Sequence, residues 1–162
     1  MITAPLRQLI RDRSSKLTAS RSTIGLDGFV DTVVKVVRSK QHTSSYFNTI
    51  AEFGEFTLEK GGMNFSLELE EQITKSGGNA PIMGQALARL GTPVQVIGAL
   101  GYPSLHPVFQ PLQHELSLTS YANPGLSTAM EFGDGKILLA QMSELNHADW
   151  TTLRDRVGLE AL

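Results

Sequence analysis

Between Ser76 and Gly101 the chain reads SGGNAPIMGQALARLGTPVQVIGALG, and its chemistry-bearing residues stand at the opening of that run. Gly77-Gly78 can bring backbone N–H groups against a polar ligand, because no Cβ holds the ligand away. Asn79 adds a side chain that both donates and accepts hydrogen bonds. A helix starting here contributes orphan N–H donors and a partial positive end. The combination suits hydroxyls or anions. Two plainer readings stand beside it: the glycines as a simple strand-to-helix loop, and Asn79 as the helix cap.

Other chemistries are excluded by composition. The chain has no cysteine, so disulfides, thiolate metal sites and a Cys nucleophile are ruled out. His42, His106, His114 and His147 lack metal-ligand spacing, and no metal site is expected. Net charge is −2 and no Lys/Arg block exceeds two adjacent residues, which argues against nucleic acid or an anionic membrane surface as partner. No apolar run approaches the ~20 residues that span a bilayer, and the N-terminus lacks the apolar core of a secretory signal. A cytoplasmic location is expected. Gly98-Ala99-Leu100-Gly101 follows a strand but lacks the Gly-x-Gly-x-x-Gly pattern of a dinucleotide loop, and Pro103 intrudes.

The elements that must position these residues follow from periodicity. At 162 residues with 41% hydrophobic and 19% charged residues, the chain has the size and balance of one globular domain. Residues 5–17 predict an amphipathic helix. Thr23–Leu26 predicts a short strand before the bend Asp27-Gly28, and the β-branched run Val30–Val37 a second. Ser44–Leu58 carries Phe47, Ile50, Phe53 and Thr57 at helical spacing, with Ser44 or Ser45 as cap. Phe65, Leu67 and Leu69 alternate with Ser66, Glu68 and Glu70, a strand with one apolar and one acidic face. Ile82, Met83, Ala86, Leu87 and Leu90 form a helical stripe ended by Gly91. Val94, Val96 and Ile97 predict a buried strand, Leu105–Leu116 a helix interrupted by prolines, and Thr119–Ala122 a short strand. Gly133-Asp134-Gly135 joins a hairpin of Thr128–Phe132 and Lys136–Gln141. Asp149–Val157 predicts a last helix with Trp150, Leu153 and Val157 inward, starting near Asn146 or His147. This alternation argues for an α/β architecture, with some strands too amphipathic for a sheet covered on both faces.

The run from Gly77-Gly78-Asn79-Ala80-Pro81 through ALARLG to Gly101 resembles the first signature of the ribokinase-like (PfkB) carbohydrate kinases. IGLDGFVDTVVKVV, residues 24–37, resembles that family's first strand, and Ser127-Thr128 before the hairpin resembles a later strand pair. The resemblance extends in order over most of residues 22–157. Two positions depart from the signature: Ile82 stands where the family usually has Asn, and Gly84 where it has a small residue such as Ser, Thr or Ala. Strand Gly and Asp are also one residue further apart than in ribokinase.

The resemblance implies a ribokinase-like α/β fold with a mainly parallel central sheet flanked by helices, plus a small β-sheet lid. Residues 1–162 would form only the N-terminal portion of that fold, with lid strands drawn from about 30–38, 64–74 and 128–141. It implies ATP-dependent phosphoryl transfer to a sugar or nucleoside hydroxyl, with Mg²⁺. Asp31 and Asp27 compete for the substrate carboxylate, and Asp27 also reads as an ordinary turn residue before Gly28. Gly77, Gly78 and Asn79 would complete the acceptor site. The family's Gly-Ala-Gly-Asp motif, which supplies anion hole and base, is not found here. No catalytic residue is therefore expected in this chain, and the ATP and Mg²⁺ residues are expected mostly outside it. Self-association or pairing with a missing C-terminal half would cover the open sheet. The competing expectation is a non-catalytic sugar-binding or assembly module of the same fold, and a further one an unrelated α/β binding protein.

Overall fold

The computed structural model describes residues 4, 5, 8, 9, 12, 21–40 and 44–161. The helix expected over 5–17 lies largely outside the described residues. The chain divides into two compact units, one from Met1–Phe29, Ser76–Gly125 and Met142–Leu162, the other from Val30–Lys75 and Leu126–Gln141.

The first unit is built on a parallel three-stranded sheet. Strand β1 (Ser22–Ile24) pairs with β5 (Val94–Gly98), and β5 pairs with β6 (Ser117–Ser120). The β5 run is apolar at successive positions because both faces are covered: Val96 is fully buried and Ile97 nearly so. Ile97, Ala99, Tyr121 and Ala122 pack with Leu153 of helix α3 (Trp150–Val157). A 3-10 segment, Pro107–His114, replaces the proline-interrupted helix and buries Phe109 and Leu112. The short strand expected over Thr119–Ala122 falls instead at Ser117–Ser120, in register with Gln95–Gly98.

Helix α2 (Asn79–Arg89) forms where expected, and Gly91 with φ +89 follows its C-cap Leu90. Its buried side differs from the expectation. Ala80, Pro81 and Gly84 are buried, whereas Ile82, Met83 and Leu90 are 57%, 56% and 56% exposed. The cause is a close approach to β5: a Cβ on Gly84 would lie 2.7 Å from Val96 Cγ2. Close packing selects the small residues, and the larger apolar ones are turned outward. In α3 the N-cap is Asp149, whose carboxylate accepts the Thr152 N–H at 2.7 Å, so the helix starts after Asn146 and His147. Leu153 points inward as expected, but Trp150 is 61% exposed.

The second unit carries a sheet in the order β3 (Ser44–Tyr46), β2 (Phe29–Lys40), β7 (Gly125–Phe132), β8 (Gly135–Gln141), with β4 (Leu69–Gly77) also paired to β2. The two-residue turn Gly133-Asp134 closes the antiparallel β7–β8 hairpin, with Phe132 opposite Gly135. One sheet face buries Val34, Val36, Phe47, Met130 and Phe132 against Ile50, Phe53 and Phe56 of helix α1 (Ile50–Glu59) and its approach. Period-2 alternation then sends Asp31, Val33 and Lys35 to the other face.

Two boundaries are corrected here. The helix expected from Ser44 starts only at Ile50: Ser44–Tyr46 pairs antiparallel with β2, and Thr49 is the cap, its hydroxyl accepting the Glu52 N–H at 3.1 Å. The Thr-x-x-Glu spacing of Thr49 and Glu52 is the signal that marks this start. The strand expected over 64–74 runs instead over Leu69–Gly77. Phe65 and Leu67 lie outside it, while Leu69 and Ile73 are about half exposed.

Candidate functional site

In the first unit the loop after β1 carries Asp27 toward the opening of α2. Both neighbours of Asp27 are pinned: Leu26 O accepts the Ala99 N–H at 3.1 Å, and Gly28 O accepts the Gly125 N–H at 3.0 Å. Gly28 is buried so tightly that a Cβ would lie 2.3 Å from Ala99 O. From this fixed loop Asp27 Oδ2 accepts the Asn79 N–H at 2.7 Å and Oδ1 accepts the Ala80 N–H at 2.8 Å. These are charge-assisted hydrogen bonds at the positive end of a helix.

Gly78 occupies the N-cap with φ +93 and offers no capping side chain. A Cβ there would approach Gly28 Cα at 3.0 Å and Asp27 Oδ2 at 3.3 Å. The cap therefore comes from Asp27, 52 residues away. Four N–H donors normally open a helix without an intrahelical partner. Here two go to Asp27, and Pro81 at the third helical position has none. Gly78 is left with the remaining amide. Gly77 is buried, Gly78 half-buried and Asn79 exposed. A cap reaching across the sequence leaves no local spacing to read; its one trace is a glycine at a position that usually holds Ser, Thr, Asp or Asn.

In the second unit Asp31 is half-buried on β2 and lines a concavity of about 250 Å³. Lys75 of β4, Ser127 of β7 and Lys136 of β8 line the same space, with Val33, Ala129 and Leu138 as apolar wall. Lys136 is held by Glu131 at 2.9 Å, and that ammonium keeps the Glu131 carboxyl below the usual carboxylate range. The side chains of Asp31 and Lys75 have no hydrogen bond or ion pair among the described residues. The concavity thus offers an acceptor, a donor and a hydroxyl that can act as either. Lys75 and Lys136 were not apparent as site residues from sequence, because only the pairing of four strands brings them beside Asp31.

The chain combines a parallel α/β unit whose helix opens on Gly-Gly-Asn with a smaller sheet unit that presents a carboxylate, and it has the fold of the ribokinase-like carbohydrate kinases. A carbohydrate kinase from Agrobacterium tumefaciens superposes with a TM-score of 0.57 at 17% identity, covering 88% of this chain and 42% of its own. The Arabidopsis thaliana ribokinase solved with ribose and ATP matches at a TM-score of 0.43 and 17% identity, covering 74% of this chain and 36% of its own. The family model for prokaryotic ketohexokinase matches residues 3–162, and the chain belongs to that family. Ketohexokinase of Haloferax volcanii is 31% identical over 157 residues, 91% of this chain. The chain spans about 40% of that relative's length.

Among the described residues no three or more Asp, Glu or His side chains converge as a metal-binding group. No described helix is long and apolar enough to cross a membrane.

Proposed function

We propose that this chain is the acceptor-binding portion of an ATP-dependent sugar kinase, and that the acceptor is a ketohexose such as fructose. The observation that carries the reading is Asp31: a half-buried carboxylate whose side chain has no partner among the described residues, in a concavity it shares with Lys75 and Ser127. A carboxylate accepts from two adjacent hydroxyls in a fixed geometry, and an ammonium beside it donates to a third. In the first unit Gly77, Gly78 and Asn79 offer polar groups of their own to a polyol, with the Asn79 side chain exposed and without a hydrogen bond to another described residue. The second unit carries α1 on one face of its sheet and presents Asp31 on the other, the face that shields a bound acceptor from water. The base, the anion hole and the ATP and Mg²⁺ sites belong to polypeptide outside these residues. The exposed Ile82, Met83 and Leu90 support pairing of α2 with that polypeptide or with a second copy.

Titration of the protein with fructose, followed by NMR, tests the reading. Signals of Asp31, Lys75 and Ser127 are expected to move, and Asp31→Asn to weaken binding about tenfold or more, as loss of a charged hydrogen-bond partner does. Fructose binding that is indifferent to Asp31→Asn refutes the assignment. Phosphorylation of fructose by the 162-residue chain alone would place the base within it and overturn that part of the proposal.

A further inference from the structure

The sheet of the second unit holds a second concavity, of about 390 Å³, formed where the segment after β3 meets the end of β7. Asn48 O accepts the Gly133 N–H at 2.7 Å and ties the two segments together. Lys35 of β2, Tyr46 of β3, Asn48 and Glu131 of β7 supply its polar groups, over the rings of Phe47 and Phe132. Glu131 lines this space while its partner Lys136 lines the one that holds Asp31. A single ion pair therefore stands between the two concavities.

The cations of this sheet divide by what they touch. Arg38, Lys40 and Lys136 pair with Glu52, Glu68 and Glu131. The side chains of Lys75 and Lys35 have no ion pair or hydrogen bond among the described residues, and each lines a concavity. Lys35 is half-buried, with its ammonium 5.2 Å from the centre of the Tyr46 ring. That contact orients the ammonium and leaves its N–H donors unused. The Tyr46 hydroxyl donates to Glu70 at 2.8 Å, and this bond holds the phenol above its usual pKa and hence neutral. The nearest acid, Glu131, is already offset by Lys136, so the space carries an excess of positive charge.

Asn48 adds a second donor in a fixed place. Its backbone N–H donates to Glu52 at 2.9 Å and its carbonyl accepts from Gly133, while its side-chain amide is exposed and makes no hydrogen bond to a described residue. Gly133 keeps the approach clear: a Cβ there would lie 3.1 Å from Asn48 O and 3.3 Å from its Oδ1. An ammonium and an amide that are not coplanar match a tetrahedral oxyanion, whereas a planar carboxylate is matched best by a guanidinium fork. The Glu131 carboxylate beside them accepts from hydroxyls.

We propose that this concavity binds a phosphate monoester of a small hydroxylated molecule, with the phosphate on Lys35 and Asn48 and a hydroxyl on Glu131. It lies outside the residues assigned to the acceptor, so it stands or falls independently of that reading.

Glycerol 3-phosphate is the probe, titrated into the protein and followed by residue-resolved NMR, with glycerol and glycerate in parallel. Amide signals of Lys35, Asn48 and Gly133 should move together on one saturating curve. Lys35→Met keeps the stem but removes the charge and should weaken binding at least about tenfold. Asn48→Ala, at an exposed side chain, should weaken it about threefold or more, and it carries the test if Lys35→Met fails to fold. Asp31→Asn should leave the affinity unchanged. Absence of these shifts, or an affinity indifferent to the folded variants, overturns the proposal. Equal binding of glycerol or glycerate overturns the ester class, and a response lost in Asp31→Asn moves the ester to the other concavity and overturns the site.

Discussion

Gly78→Ala and Gly54→Ala are the same chemical change with opposite expected sign. Gly78 has φ +93 and ψ 149, a region that residues with a Cβ avoid at a cost of about 1–3 kcal/mol. Its new methyl would also meet Gly28 Cα at 3.0 Å, Phe29 N at 3.2 Å and Asp27 Oδ2 at 3.3 Å. Two of those atoms are backbone, and Gly28 is already pressed against Ala99 O, so relief requires moving the Asp27 loop. With the crowding added, the total loss is about 2–4 kcal/mol. Gly54 lies in the interior of α1 with nothing within 4 Å of an added Cβ. There alanine gains about 0.5–1 kcal/mol, chiefly by restricting the unfolded chain. Urea unfolding followed by circular dichroism measures both changes. With a denaturant dependence of about 2 kcal/mol per molar, the Gly78→Ala midpoint should fall by about 1–2 M while that of Gly54→Ala rises slightly. A Gly78→Ala protein within about 0.5 kcal/mol of wild type would show that the loop relaxes freely, and the fixed placement of Asp27 would lose its support.

The orientation of α3 makes a second pair of expectations. Leu153→Ala removes a side chain that is 3% exposed among Ile97, Tyr121 and Ala122 and should cost about 2–5 kcal/mol; Trp150→Ala, at a residue 61% exposed, should change stability by about 0.5 kcal/mol or less. Equal losses in the same melts would restore the inward Trp150 that sequence alone suggests. At Asp149 the Thr152 N–H, bonded to the carboxylate, holds its carboxyl below the usual aspartate range. A depressed folded value means the contribution is complete above the unfolded pKa of about 3.9 and disappears as pH falls through the lower folded value. Asp149→Ala should therefore melt below wild type at neutral pH, with the two curves converging toward about pH 2; a gap that persists in acid points to a cause other than the charged cap.

Much of the architecture is legible in the residues. The β5 apolar run, the β-branched stretch of β2, the Gly-Asp-Gly hairpin and the α2 opening are local patterns with local causes. Each appears within a few residues of its expected place. The errors share a mechanism. Ser44–Tyr46 leads into apolar residues at helical spacing, but a partner strand claims it. The large apolar residues of α2 predict a buried stripe, but contact with Val96 admits only Gly84 and its small neighbours. Trp150 has the size of a core residue, yet the packing around Leu153 leaves it outside.

The division at the site is of the same kind. Residue types and spacing alone place paired glycines and an amide at the opening of a helix in an α/β fold, because those features are written in short, contiguous runs. Which carboxylate does what is a matter of three-dimensional placement. Only the folded chain turns Asp27 onto the amides of a helix 52 residues further on, and only strand pairing gathers Asp31, Lys75 and Ser127 around one concavity. Hydrogen bonds and strand neighbours between distant segments carry no sequence period, so these roles emerge when the backbone has closed around them.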